Sequence, residues 1–209
     1  MFKGTPEIVA QRREEIVNAC EQLYQTMSFK EINLKEIGNV TSFSRPTIYN
    51  YFHTKEEIFL ALFEREYDRW NAELESILNS DGNYTRKQIA EKIAASLESR
   101  AQLLRLLSMN NFDMEANSRQ ELLTSFKAAF GKSMRLVRGI VARFCPDMDD
   151  AAVDAFLYAF FPFMFGIYPY TAVTEKQSAA MRDAGLNFRQ TTVYALTYAC
   201  LTRLLGTTI

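Results

Sequence analysis

The chain has 209 residues, of which 48% are hydrophobic and 23% charged, as in folded globular proteins, and this composition excludes a wholly disordered chain. Its 24 basic and 25 acidic residues nearly cancel, so that any nucleic-acid-binding surface must be confined to part of the chain. The cysteines Cys20, Cys145 and Cys200 are odd in number and widely spaced. They argue against a disulfide framework or a zinc site, and with no signal-peptide pattern at the N-terminus they favour a cytoplasmic protein.

The predicted elements are all helical. Apolar residues recur mainly at helical spacing, and the sustained alternation that is typical of strands is absent. The predicted helices cover approximately 6–27, 34–40, 44–51, 55–80, 85–98, 100–110, 118–144, 149–168, 174–184 and 188–206. Capping-box pairs mark several of their starts: Thr54 with Glu57, Thr85 with Gln88, Ser118 with Glu121 and Thr174 with Gln177, with Asn33 and Glu36 as a variant.

The segment from 33 to 52 predicts two very short helices joined by a tight turn. Ser44 is a favourable N-cap, and Pro46 lies in the first turn, where its missing N–H costs nothing. Ile48 and Phe52, four residues apart, are expected to point toward the core. The residues then left facing mainly outward are Arg45, Thr47, Tyr49, Asn50 and Tyr51.

Such a pair of helices is typical of a helix-turn-helix, whose second helix enters the major groove of DNA. Arg45 is suited to guanine or phosphate, and the hydroxyl and amide groups of its neighbours to phosphate or base edges. Lys55 follows the Thr54 cap, where its ammonium and the N–H groups of the next helix are expected to hold a phosphate. Residues 28–55 carry four basic and two acidic side chains, so the region is locally positive. A solvated helix with two chance tyrosines is the alternative.

Residues 8–63 resemble the DNA-binding domain of the tetracycline-repressor (TetR) family. The resemblance rests on the amphipathic first helix, Phe29, Ile32, the Asn33 cap and the runs 35–37, 43–52 and 55–59. The sequence departs from the family pattern at Ser42, where glycine is usual, at Gly38, where alanine is frequent, and at Asn33, where threonine is more usual.

The resemblance implies an all-α protein with a helix-turn-helix DNA-binding domain over 1–55 and a helical ligand-binding and dimerisation domain over 56–209. It implies a homodimer, a double-stranded palindromic operator, and a small apolar or aromatic effector that releases DNA, with no cofactor, metal or membrane. The DNA-binding residues are expected to be Asn33, Lys35, Ser44, Arg45, Pro46, Thr47, Tyr49, Asn50, Tyr51 and Lys55.

The C-terminal two thirds are rich in aromatic residues and methionine, which form adaptable walls for apolar ligands or an ordinary core. The candidate ligand-binding residues are Met109, Phe112, Phe126, Phe130, Phe160, Met164, Phe165 and Tyr168. The helices 149–168 and 188–206 are candidates for the dimer interface, through Ala152, Ala155, Ala159, Phe163, Tyr194, Tyr198, Leu201 and Leu205. The most apolar stretch, Ala155 to Tyr168, is predicted to be too short for a membrane span, at about 21 Å of helix.

Two other classes of function remain open. The modest local charge favours an interaction protein that keeps the fold and acts through protein contacts on another regulator. An enzyme finds little support, because His53 is the only histidine and no nucleophile motif, phosphate loop or metal-ligand cluster accompanies it. His53 is expected to be a solvent-facing or phosphate-contacting residue.

Overall fold

The computed structural model describes residues 5–109 and 111–207, and within them the chain forms eleven α-helices and no strand. In chain order these are α1 Pro6–Thr26, α2 Leu34–Val40, α3 Arg45–Ile48, α4 Lys55–Leu78, α5 Arg86–Glu98, α6 Ala101–Leu107, α7 Asn111–Ala116, α8 Gln120–Phe144, α9 Asp150–Thr171, α10 Glu175–Asp183 and α11 Val193–Leu204. The predicted all-α fold is confirmed.

Several helices differ from the predicted ones, and α6 and α9 do so by three residues at their C-terminal ends. No helix was predicted at α7, because six residues are too few to show a helical period. The predicted start of the last helix was too early, since the Thr192 hydroxyl caps α11 by accepting the Ala195 N–H at 3.0 Å. The predicted α3 was too long, because the chain leaves regular helical geometry after Ile48 and continues as hydrogen-bonded turns to Phe52.

The chain divides into two compact units. One contains the described residues of 5–65 and 111–128, and the other those of 66–109 and 129–207. Both α4 and α8 contribute residues to each unit. The functional division at residue 55 stays a prediction.

The first unit is built around an apolar core shared by α1 to α4. Ile16 and Cys20 of α1, Ile37 of α2 and Ile58 of α4 are fully buried. Aromatic rings tie the elements together: Tyr24 and Phe29 each contact Phe59 edge-on, and Phe63 contacts Phe126 of α8, with centroids 4.8–5.1 Å apart. Met114 of α7 is also buried, so the 111–128 segment belongs to this core.

The second unit packs α5 against α11, and α9 against both α6 and α11. Phe161 is the centre of an aromatic cluster in this unit, where it contacts the rings of Trp70, Phe130 and Phe160. Trp70 is fully buried there, and its indole N–H donates to Ser96 Oγ at 3.0 Å. In the same core, Asn71 exchanges hydrogen bonds with α8, where the Ser133 hydroxyl and the Ala129 carbonyl are its partners.

The helix that contains the most apolar segment is longer than that segment. The helix α9 has 22 residues and is about 33 Å long, so its length and apolar composition alone would suffice to cross a membrane, as they also do in core helices of folded domains. Its buried side, which includes Val153, Phe156 and Ile167, packs within the second unit. Pro162 and Pro169 lie on its exposed side. In this structure α9 is a helix of a folded domain with a second apolar face.

Candidate nucleic-acid interface

The candidate interface begins at Ser44, the N-cap residue of α3, as predicted. Pro46 lies in the first turn, and the Thr47 amide donates to the Ser44 carbonyl at 2.8 Å. The Ser44 hydroxyl makes no capping bond to the backbone, and its oxygen lies 3.3 Å from that of Thr47. Ile48 and Phe52 are fully buried, as predicted, and they fix which side of α3 faces outward.

The outward side of α3 presents Arg45, Pro46, Tyr49 and Asn50, with Thr47 half-buried. The Arg45 guanidinium donates to the Tyr49 hydroxyl at 3.0 Å and lies 5.7 Å from the centroid of the same ring. The pair is one helical turn apart, so the tyrosine orients the arginine before any ligand arrives. Lys35 of α2, one of the expected DNA-binding residues, is exposed.

Tyr51 does not face outward, and that prediction was wrong. Only 4% of the residue is exposed. Its hydroxyl accepts a hydrogen bond from Arg12 at 3.3 Å, and its ring lies beside Phe43 with centroids 6.5 Å apart. Its carbonyl accepts from Arg13 at 3.4 Å. Burial of the ring among these partners removes the Tyr51 side chain from the outward face.

The side chains of Lys55 and Asn33 form hydrogen bonds with backbone groups of the first unit. The Lys55 ammonium donates to the carbonyls of Phe29 at 2.7 Å and Ile32 at 3.2 Å, and it lies 4.2 Å from the Phe29 ring centroid. The expected free ammonium at the start of α4 is therefore not observed. Asn33 accepts the amides of Lys35 and Glu36 at 2.9 and 3.2 Å, which confirms it as the α2 cap.

The turn between α2 and α3 does not need the glycine that Ser42 replaces. Among the described residues, only Gly185 and Gly206 have positive φ. The Ser42 amide donates to Glu15 Oε1 of α1 at 2.5 Å, and the Thr41 hydroxyl donates to the Phe43 carbonyl at 3.0 Å. A side chain from α1 thus holds the turn, a role that sequence analysis missed.

A second group missed by sequence analysis lies behind α3. Glu57, in the first turn of α4, is 1% exposed, and its carboxylate accepts from Arg119 Nε at 2.7 Å and Nη2 at 2.9 Å. It also accepts the amides of Arg119 at 3.2 Å and His53 at 2.7 Å. Burial by itself raises the pKa of Glu57, but the hydrogen bonds from Arg119 and His53 outweigh it and leave the pKa below its ordinary value.

The predicted ligand-binding residues do not form one group in the structure. Phe112 and Phe126 belong to the first unit, where Phe112 is 87% exposed and Phe126 is buried against Phe63. In the second unit Phe160 and Met164 are core residues, whereas Phe165 is 42% exposed. The remaining three, Met109, Phe130 and Tyr168, are half-buried.

Two cavities of the second unit are lined by other residues. One, of about 260 Å³, lies beside α10 and is lined by Met181, Arg182 and Phe188 among others. A shallower one, of about 340 Å³, lies between α4 and α5 beside Glu73, Ile77 and Lys92. Neither contains a residue that the sequence analysis assigned to a ligand, so the lining of an effector site stays a prediction.

The cysteines and acidic residues show no sign of a metal or redox centre. Over residues 5–109 and 111–207, no three His, Cys, Asp or Glu side chains lie close enough to hold a metal ion. Burial raises the pKa of all three thiols. Cys20 and Cys145 are buried.

Comparison with known proteins finds similarity to transcriptional repressors. Residues 64–207 match the family model described as the tetracyclin repressor-like C-terminal domain. The chain is 30% identical over 79 residues to the HTH-type transcriptional repressor NemR of Escherichia coli, a match that spans 37% of this chain and 40% of that protein.

Solved structures share the fold along nearly the whole chain. A TetR-family transcriptional regulator from Mesorhizobium loti superposes with a TM-score of 0.64 at 15% identity, covering 97% of this chain and 98% of that one. FadR from Bacillus subtilis, solved in complex with stearoyl-CoA, superposes with a TM-score of 0.62 at 16% identity, covering 94% and 99%. Because the family model covers more than half of the sequence, the chain belongs to the TetR family of transcriptional regulators.

Proposed function

We propose that this regulator is a cytoplasmic, homodimeric repressor that binds a palindromic operator and is released from it by a small apolar molecule. The exposed side of α3 carries the proposal: Arg45, Tyr49 and Asn50 face outward from a short helix whose other side is fixed in a core. These side chains can donate hydrogen bonds to guanine, phosphate and adenine. The helix α3 with the turns that follow it is narrow enough to enter a major groove.

The test is selection of binding sites from random double-stranded DNA with the purified full chain, at about 150 mM salt and with excess competitor DNA. We expect an inverted repeat whose half-sites are centred roughly one helical turn apart, protected as one footprint. Enrichment of no sequence would contradict direct DNA recognition. Co-purification with another regulator would then favour the protein-contact alternative.

The exposed face of α9 supports the homodimer. Ala155, Ala159 and Phe165 follow one another along its exposed side, and Tyr158 on the same side is 74% exposed. A continuous apolar stripe of this length on a surface helix marks an interface with a partner. Leu201 of α11 and Leu205, the C-cap residue of that helix, were also expected at this interface, but both are buried within their own unit. Tyr194 and Tyr198 stack on each other and are half-buried, so both remain candidates for the dimer interface.

The proposed effector is an apolar or amphipathic small molecule, and long-chain acyl-CoA is the first class to test. The support is the aromatic core of the second unit together with the fold shared with a FadR that was solved with stearoyl-CoA. Stearoyl-CoA should displace the protein from its selected operator in an anisotropy titration, whereas free CoA, which has the same anionic head, should not. Equal release by both would indicate competition between polyanions, and release by neither would indicate another class of effector.

A further inference from the structure

The helix α3 is too short for its own hydrogen bonds to hold its C-terminal end in place. Its regular part has four residues, and hydrogen bonds of the turn type carry it on to Tyr51 and Phe52. The last carbonyls of any helix lack partners inside the helix and need donors from elsewhere. Here the Tyr51 carbonyl accepts from Arg119 Nη2 at 3.0 Å as well as from Arg13 of α1 at 3.4 Å.

Arg119 itself is held in place by a buried carboxylate. Its Nε and Nη2 atoms bond to different oxygens of Glu57 at 2.7 and 2.9 Å, a bidentate arrangement that fixes the plane of the guanidinium. Glu57 also accepts the His53 amide at 2.7 Å. The carboxylate and the guanidinium together therefore bind both ends of the short link between α3 and α4.

A second bond joins the same two segments. The Thr54 hydroxyl donates to the Asn117 carbonyl at 3.0 Å, and the Thr54 oxygen accepts the Glu57 amide at 3.2 Å. The residues just before α8 thus contact the α3–α4 link at three points, although about 60 positions separate the two segments in the sequence. The Arg119 guanidinium bonds to the backbone carbonyl of Tyr51, a buried residue, whereas Arg45, Tyr49 and Asn50 are exposed.

We infer that Arg119 is a positioning residue for DNA recognition: by bonding to Glu57 and to the Tyr51 carbonyl it orients α3, without touching DNA. This inference rests on the proposed DNA-binding function. It identifies a residue outside the helix-turn-helix on which operator affinity depends.

The variants are Arg119→Lys, which keeps the charge but loses the planar fork, and Arg119→Ala. Lys127→Ala is the matched control, because Lys127 is a cation of α8 in the same unit and its ammonium donates to Glu115 at 2.6 Å. Glu57→Gln keeps acceptor and size and serves as a second variant if Arg119→Ala does not fold.

The first measurement needs no DNA. Amide hydrogen exchange over residues 50–53 should be faster by about fivefold in Arg119→Lys, the factor expected for the loss of one net hydrogen bond, and unchanged in Lys127→Ala. Unchanged exchange in Arg119→Lys and Arg119→Ala would overturn the inference whether or not the chain binds DNA. If Arg119→Ala does not fold, unchanged exchange in Arg119→Lys and Glu57→Gln would do so.

The second measurement uses the operator recovered by selection. Arg119→Ala should bind it about tenfold more weakly, while the slope of log affinity against log salt stays that of the parent. A slope reduced by about 0.9 would show that Arg119 neutralises a phosphate directly, and parental affinity would show that it does not position α3; either outcome overturns the inference. Failure of the parent chain to select any DNA would contradict the proposed function, and the exchange result would still decide whether Arg119 holds α3.

Discussion

Two tyrosines near the end of α3 show how sharply exposure changes between neighbouring residues. Tyr49 remains at the surface, where its hydroxyl accepts from Arg45. Tyr51 is buried because Arg12 supplies a donor for its hydroxyl and Phe43 packs against its ring. A buried tyrosine hydroxyl needs such a partner. The outward face is consequently narrower than the sequence suggested and depends mainly on Arg45, Tyr49 and Asn50.

Replacing Arg45 tests whether this face reads DNA bases. Arg45→Ala should weaken operator binding by about 1–3 kcal/mol if the guanidinium bonds to a guanine, and it should relax preference at that base pair only. Fluorescence anisotropy with the operator and its single-base variants measures both effects. Arg182→Ala, an exposed arginine of α10, is the control. Equal weakening on every sequence would instead make Arg45 a phosphate contact.

The carboxylate of Glu57 predicts how stability responds to acid. Its pKa is lower in the folded chain than in the unfolded chain, so ionised Glu57 stabilises the fold above its unfolded pKa of about 4.3. That contribution is lost as the pH falls through the lower folded pKa. The free energy of unfolding, measured by urea titration between pH 7 and pH 3, should therefore fall more steeply in the parent than in Glu57→Gln.

Glu56→Gln in the same helical turn is the control for this pH series. Other carboxylates with lowered pKa, such as Asp147 beside Arg86, contribute equally to all three proteins. If the free energy of unfolding depends on pH identically in the parent and in Glu57→Gln, the ionised carboxylate of Glu57 does not stabilise the fold.

At the scale of elements, local signals and tertiary contacts compete for the same side chains. The capping boxes at Thr85 and Thr174 form as predicted. At Thr54 only half of the box forms, because Glu57 is taken by His53 and Arg119 instead of the Thr54 amide. Ser118 does not cap α8 at all, since its hydroxyl donates to the Met114 carbonyl at 2.7 Å. Boxes remain intact where no distant group competes.

Two glycines predict opposite responses to alanine. A Cβ at Gly38, inside α2, would meet Arg45 backbone atoms at 3.5–3.6 Å, which is ordinary contact, so Gly38→Ala should raise the free energy of unfolding by about 0.5–1 kcal/mol. Gly185, which follows α10, has a φ of +69°, so Gly185→Ala should lower it by about 1 kcal/mol. Chemical denaturation of both variants checks the signs, and a destabilising Gly38→Ala would mean that α2 and α3 cannot accommodate a methyl group.

At the scale of the whole molecule, charge and apolar surface are distributed unevenly. The net charge is −1, yet residues 28–55 carry twice as many basic as acidic side chains. A nearly neutral chain with one positive segment attracts DNA only weakly by charge. Discrimination between DNA sequences must then come from direct contacts with the bases. Three of the exposed large apolar side chains, Tyr158, Phe165 and Tyr170, lie on the second face of α9.

A charge placed on that face tests the homodimer. Ala159→Glu should convert the dimer into monomers in sedimentation velocity at micromolar concentration, because a desolvated carboxylate without a partner is costly at an interface. It should also weaken operator binding, since two half-sites need two joined chains. Ala180→Glu, on the exposed side of α10, is the control. A dimer that survives Ala159→Glu would place the interface elsewhere.

Local sequence patterns were enough to predict the all-helical fold, the order of the N-terminal helices, the inward positions of Ile48 and Phe52 and the caps at Asn33, Thr85 and Thr174. These features depend on hydrophobic period and on partners within about four residues, which adjacent sequence contains. Family membership was equally legible, because the helix-turn-helix motif is contiguous.

Three features could be seen only once the helices were packed together: Tyr51 is buried, the Lys55 ammonium bonds to carbonyls of the preceding segment, and Arg119 bonds to Glu57. The hydrogen-bonding partners of these groups that are named above lie between 23 and 68 positions away. Their free energy comes from burial and from hydrogen bonds formed when separate helices meet, and no local pattern specifies which distant group will arrive.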